Sequence, residues 1–294
     1  MSGRHLRLFV MGALALSAAA LAWAPATASA IPTGVTMTAS ASPATQSAVN
    51  RSGVSLFLGF SAAYDDFSTS EQLQEAVFHL DNDFTFDGTG LTSCQRSSIE
   101  GKFHNQAVAA CPNSIVGSGT AAVNDGAISA VLDAFYGGGT LVYVQADIGP
   151  GATNMTITGT VGNSTRGGDF GTQLDLSGIP NSPGLVFTQF NLSFPDREPS
   201  PGHHYISARC EADQAWDFAG VFRFYDLSTF MASARQACTS VPTGERAKAL
   251  KRCERKHRKA LKRKREHDAL TKPVKKHLRK QLRKCRAKAK KLPV

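Results

Sequence analysis

From residue 54 onward, apolar and polar side chains alternate with a period of two in short runs. In "VSLFLGF", Val54, Leu56, Leu58 and Phe60 share one face, opposite Ser55, Phe57 and Gly59. Met155, Ile157, Gly159 and Val161 alternate with Thr156, Thr158 and Thr160, and Phe190, Leu192 and Phe194 alternate with Gln189, Asn191 and Ser193. Trp216, Phe218, Gly220, Phe222 and Phe224 form a further stripe, while "TLVYVQAD" and "HHYISARC" have strand composition. "SEQLQEAVFHL" reads either as a helical turn capped by Ser70 or as a strand over residues 76–80. Glycine, proline and asparagine clusters such as "DIGPGATN", "GNSTRGGD" and "SGIPNSPG" separate the runs. Many short strands with such punctuation, and no βαβ alternation, predict an antiparallel β-sandwich over residues 51–243.

The period changes near residue 244. Leu250, Cys253, His257 and Leu261 recur at helical steps, as do Val274, Leu278, Leu282, Cys285 and Ala289. Between them Thr271 is an N-cap candidate and Pro273 falls in the first turn that follows. Residues 244–294 therefore read as a basic α-helical hairpin with a thin apolar seam. At the other end, Arg4, His5 and Arg7 precede an apolar run and Ala28-Ser29-Ala30, the layout of a secretory signal with cleavage after Ala30. The run is shorter than the roughly 20 residues of a spanning helix, so no transmembrane span is expected after cleavage. Residues 31–50, rich in Ser, Thr, Ala and Pro and free of charge, read as a flexible lead.

Charge separates the two units. Residues 244–294 hold 23 Lys/Arg and 4 Asp/Glu, a net of +19, whereas residues 31–243 hold 8 and 19, a net of −11. An acidic body thus carries a strongly basic tail. Lys251, Arg252, Arg255, Lys256, Arg258, Lys259, Lys262, Arg263, Lys264, Arg265, Lys275, Lys276, Arg279, Lys280, Arg283 and Lys284 are the candidate polyanion-binding residues. The tail has no aromatic residue for base stacking and no groove-reading motif, so nucleic acid is expected only as a nonspecific partner. Anionic cell-envelope polymers or lipid headgroups need only the charge, about 1 kcal/mol per cation near an anionic membrane. A plain solvated stalk is the bland alternative.

Six cysteines in an exported chain suggest three disulfides. Nearness in sequence and predicted structure favours Cys94 with Cys111, Cys210 with Cys238, and Cys253 with Cys285, although sequence alone permits other pairings. The last bond would staple the hairpin, contributing about 3 to 4 kcal/mol in the chain-entropy model. No CxxC spacing favours a metal instead.

"GLTSCQ", "AACPNSIVGSGTA", the run "RCEADQAWDFAGVFRFYDLSTFMASARQAC" and the ending "KAKKLPV" resemble uncharacterised secreted β-domain proteins of high-GC actinobacteria with a Cys-containing, Lys/Arg-rich C-terminal tail. The resemblance implies an extracellular β domain and no reaction.

Chemistry elsewhere is sparse. Asp81, Asp83 and Asp87 in "DNDFTFDG" are the nearest approach to a calcium loop, but Phe86 stands where the EF-hand template needs glycine and Thr92 where it needs an acid. The bland reading is a polar turn beside a strand. No GxSxG elbow is present, and "GSG" at residues 117–119 is a glycine-rich turn or strand start. His79, His104, His203 and His204 are available as bases, and Asp65-Asp66 or Glu71 with Glu75 as paired acids, without a spacing that names a reaction. The aromatic stripe from Trp216 to Phe224 fits a core better than a ligand groove. The expectation is an exported envelope or extracellular binding or structural protein, on balance not an enzyme, with no cofactor. The alternatives are a secreted hydrolase with an unrecognised site and an extracellular nucleic-acid or polyanion binder.

Overall fold

The computed structural model describes residues 32–65, 71–149, 154–181, 185–211, 213–241, 244–266 and 272–289. The expected signal, its cleavage site, Ser70 and the Thr271 cap lie outside the described residues. The strands are β1 (Gly34–Ser42), β2 (Thr45–Ser47), β3 (Ser52–Gly53), β4 (Ser55–Ala63), β5 (Leu73–Asp81), β6 (Phe84–Phe86), β7 (Ile115–Val123) and β8 (Ile128–Gly138). They continue with β9 (Leu141–Asp147), β10 (Met155–Asn163), β11 (Phe170–Ser177), β12 (Phe187–Phe194), β13 (Ile206–Ala208), β14 (Ala215–Phe224), β15 (Thr229–Ala237) and β16 (Thr239–Val241). Two short helices, α1 (Arg96–Ile99) and α2 (His104–Ala110), interrupt the strands, and α3 (Gly244–Glu266) and α4 (Lys272–Ala289) follow them.

Eleven strands form one antiparallel sheet in the order β1-β4-β12-β7-β8-β9-β10-β11-β5-β14-β15. The protein is mainly β with a C-terminal helical pair, and the sheet curls until it is nearly a closed barrel. The two layers expected of a sandwich are thus opposite walls of one sheet. With eleven strands and antiparallel pairing throughout, β1 and β15 point the same way. An antiparallel ladder cannot join them, and a side chain does so instead: Gln236 accepts from the Ala41 amide at 2.6 Å and donates to the Ala41 carbonyl at 2.8 Å. Beyond it, β2 and β16 pair in parallel over three residues, and Cys210–Cys238 closes beside them.

Residues 34–47 correct the expectation of a flexible lead. β1 pairs with β4 along its whole length, from Gly34 opposite Ala63 to Ser42 opposite Ser55. Its inward residues Val35, Met37, Ala39 and Ala41 alternate with Thr36, Thr38, Ser40 and Ser42. Because glycine, alanine, serine and threonine fill seven of its nine positions, the hydrophobic contrast is weak although the period is real.

The inward faces make one core. Leu56, Leu58 and Phe60 of β4 meet Trp216, Phe218, Phe222 and Phe224 of β14, all nearly or fully buried, with Phe60 and Phe222 rings 5.0 Å apart. The small sheet β3-β13-β6 brings Phe84 against Trp216 at 5.3 Å. Outside the barrel, α1 and α2 are closed into a cap by Cys94–Cys111 and cover Phe135, which faces away from the main core yet is fully buried.

Candidate functional site

The hairpin is built as a stripe on each helix. Along α3, Cys253 is buried and Leu250, His257 and Leu261 are half-buried; along α4, Leu278 and Ala289 are buried and Val274, Leu282 and Cys285 half-buried. Cys253 and Cys285 are bonded, with Cα atoms 5.8 Å apart. Glu254, the one acid of the hairpin with a described side chain, bonds Arg286 across the helices at 2.7 Å. Lys251, Arg252, Arg255, Lys256, Arg258, Lys259 and Lys262 of α3 are exposed. So are Lys275, Lys276, Arg279, Lys280, Arg283 and Lys284 of α4. The side chains of Arg263, Lys264 and Arg265 lie outside the described residues. A groove of about 760 Å³ runs beside the disulfide between Lys248, Arg252 and Lys256 on α3 and Lys288 on α4. On α4, Lys276, Arg279, Lys280 and Arg283 line another of about 580 Å³. Successive cations one helical turn apart stand about 5 Å from each other along the axis, which concentrates positive potential.

In the body, the calcium candidates are taken by protein donors. Asp81 accepts the amides of Asp83 at 3.0 Å and Asp217 at 3.1 Å, and burial, partly offset by those bonds, pushes its carboxyl up to about 6. Asp83 is buried against Arg209 at 2.9 Å and accepts the Glu211 amide at 3.1 Å. Asp87 turns to Thr89 and to His203, 2.9 Å away, which hold its carboxyl down at about 2. The three carboxylates therefore do not converge, and among the described residues no group of three His, Cys, Asp or Glu is placed to hold a metal.

Each body histidine has a partner. His104 Nδ1 lies 2.5 Å from the buried Asp133, and the His104 amide donates to Asp147 at 2.7 Å. His204 lies 2.8 Å from Asp196, and buried His79 lies 2.9 Å from the Ser164 hydroxyl. Burial, with Arg166 adding to it, lowers the His79 pKa. Glu75 is engaged by Arg223 at 2.7 Å. Sequence spacing gave no sign of these pairs, since partners such as His104 and Asp133 meet only through the cap and the sheet.

One end of the barrel holds a cavity of about 260 Å³ between β6 and strands β8 to β11, lined by Phe86, Tyr136, Val142, Val161, Asn163 and Tyr205 among others. A second cavity, of about 470 Å³, lies beside Asp169, Asp217 and Arg235. Comparison of the chain with protein-family models, curated proteins and solved structures gives no match. No helix among the described residues is long and apolar enough to cross a membrane. All six cysteines are paired, which suits an oxidising, extracellular environment.

Proposed function

We propose that the chain is an exported binding or structural protein of the cell envelope, whose acidic β domain is held at an anionic surface by its basic hairpin. One observation carries this reading: a covalently closed helix pair whose row of cations, from Lys251 to Lys284, faces solvent wherever the side chain is described. Anionic wall polymers or lipid headgroups are the partner class. Nucleic acid would be held only as another polyanion, because residues 244–294 contain no Phe, Tyr or Trp to stack on a base. The secretory layout at the start of the chain and the three disulfides support the same setting.

Cosedimentation tests it, with whole cells, anionic vesicles and neutral vesicles as surfaces. The intact chain should bind the first two at low ionic strength, leave them at high salt, and ignore neutral vesicles. Chain ending at residue 243 should bind none. Retention at high salt, or a truncated chain that still associates, would overturn electrostatic anchoring.

A further inference from the structure

The hairpin holds cations in two separate grooves. The first, of about 760 Å³, opens beside the Cys253–Cys285 bond at the end where α3 begins and α4 finishes, between Lys248, Arg252 and Lys256 of α3 and Lys288 of α4. The second, of about 580 Å³, is formed on α4 by Lys276, Arg279, Lys280 and Arg283 with Lys275. They share no lining residue. Glu254 is taken by Arg286, which lines neither groove.

Their placement on α4 decides what they can hold. At about 100° per residue, the side chains of the second groove stand roughly 150° around the helix from Cys285, so the two grooves open on nearly opposite sides. Their centres on α4, near residues 287 and 279, lie about 12 Å apart along the axis, with a helix about 10 Å thick between them. Two anions so placed are farther apart than the Debye length of about 8 Å at physiological salt, and repel each other weakly. A flat anionic surface meets less than half of a helix's circumference and cannot reach both grooves. A linear chain of successive charges can follow either one, because the cations recur about one turn apart along its length.

We propose that each groove holds one chain of an anionic polymer, so that the hairpin cross-links two chains. The inference rests on the electrostatic anchoring proposed above and adds to it a bridging activity.

Inorganic polyphosphate and polygalacturonate, one bearing phosphate and the other carboxylate, test it on the full-length protein beside anionic vesicles. Calorimetric titration with short chains should count two per protein. Light scattering with long chains should rise and then fall, as excess protein coats each chain separately. The variant Lys276→Gln/Arg279→Gln/Lys280→Gln/Arg283→Gln should bind one chain and scatter no more than the polymer alone, and Lys248→Gln/Arg252→Gln/Lys256→Gln/Lys288→Gln should do the same. Arg258→Gln/Lys259→Gln/Lys262→Gln/Lys284→Gln removes as much charge outside both grooves and should keep both chains. All three variants relieve like-charge repulsion along the helices, so the hairpin should stay folded. The bridge is overturned if the intact protein binds a single chain or forms no clusters, if the third variant loses a chain as the other two do, or if only vesicles are bound. Failure to bind polymer and vesicle alike would overturn the anchoring as well.

Discussion

Replacing Cys253 and Cys285 together by serine tests whether the hairpin depends on its staple. The bond closes a loop with a sequence separation of 32, for which chain entropy gives about 3.7 kcal/mol. Little else holds the helices together. Leu278 is the one large aliphatic side chain of the seam that is buried, contributing about 2 kcal/mol, while Ala289 adds less and Leu250, Leu261, Val274 and Leu282 are half-buried. Like charges one turn apart, such as Lys276 with Lys280, oppose each helix by about 0.2 to 0.5 kcal/mol per pair. The staple therefore outweighs the apolar seam, and its loss should separate the helices at low ionic strength. Circular dichroism reads this directly, because α3 with 23 residues and α4 with 18 dominate over α1 with four and α2 with seven. The helical band should fall by more than half while the strand contribution stays. Binding to anionic vesicles should persist with an unchanged salt dependence, since every charge remains. A double variant whose helical band and melting match the parent would refute the reasoning.

Other parts of the body give separate tests. Arg209→Met leaves buried Asp83 without its guanidinium and should cost about 3 kcal/mol in urea unfolding, whereas a change near zero would mean that the remaining donors suffice. Gly119→Ala would set a Cβ 1.9 Å from the Asn191 carbonyl oxygen on β12, so β7 and β12 must move apart; the expected loss is about 1 to 3 kcal/mol, and parental stability would contradict the close approach. The pH dependence has two opposed contributions. Asp81, raised to about 6, binds its proton more tightly when folded, so its contribution is complete below about 3.8 and is lost as pH rises through 6. Asp87, lowered to about 2 by Thr89 and then His203, contributes above about 3.8 and loses that contribution as pH falls through 2. Urea midpoints from pH 2 to 7 should therefore decline less on the acid side in Asp87→Asn than in the parent, and identical profiles would refute the assignment.

The strands with strong side-chain contrast were legible without coordinates. The stripe from Trp216 to Phe224 and the pair of helical stripes flanking residues 267–271 required only a period and residues large enough to mark it. β1 was missed because Ala and Ser carry the period with little hydrophobic contrast, and β15, with Phe230, Ala232 and Ala234 inward, is faint for the same reason. Barrel closure was not legible at all: it depends on strand count and neighbour order, and the joining amide of Gln236 looks like any polar residue near a strand end. The cavity was hidden for a related cause. Tyr205, Tyr136 and Asn163 are far apart in sequence, and only the sheet order brings them to one end.

The three disulfides stand where noncovalent structure is thinnest. Cys94–Cys111 closes a cap whose two helices have four and seven residues and whose separate core is small. Cys210–Cys238 sits beside the seam where β1 and β15, running the same way, are bridged by the Gln236 side chain and followed by a three-residue parallel ladder. Cys253–Cys285 joins helices whose surfaces repel. The continuous sheet between these places needs no crosslink, because its ladder and aromatic core hold it. A fold arranged in this way stays intact at its margins only where thiols are kept oxidised, so the disulfides tie the cap, the barrel seam and the hairpin to one redox condition. For the proposed envelope role that dependence has a direct consequence: the surface-binding unit is rigid only outside a reducing compartment, while its charge, which needs no fold, is present everywhere.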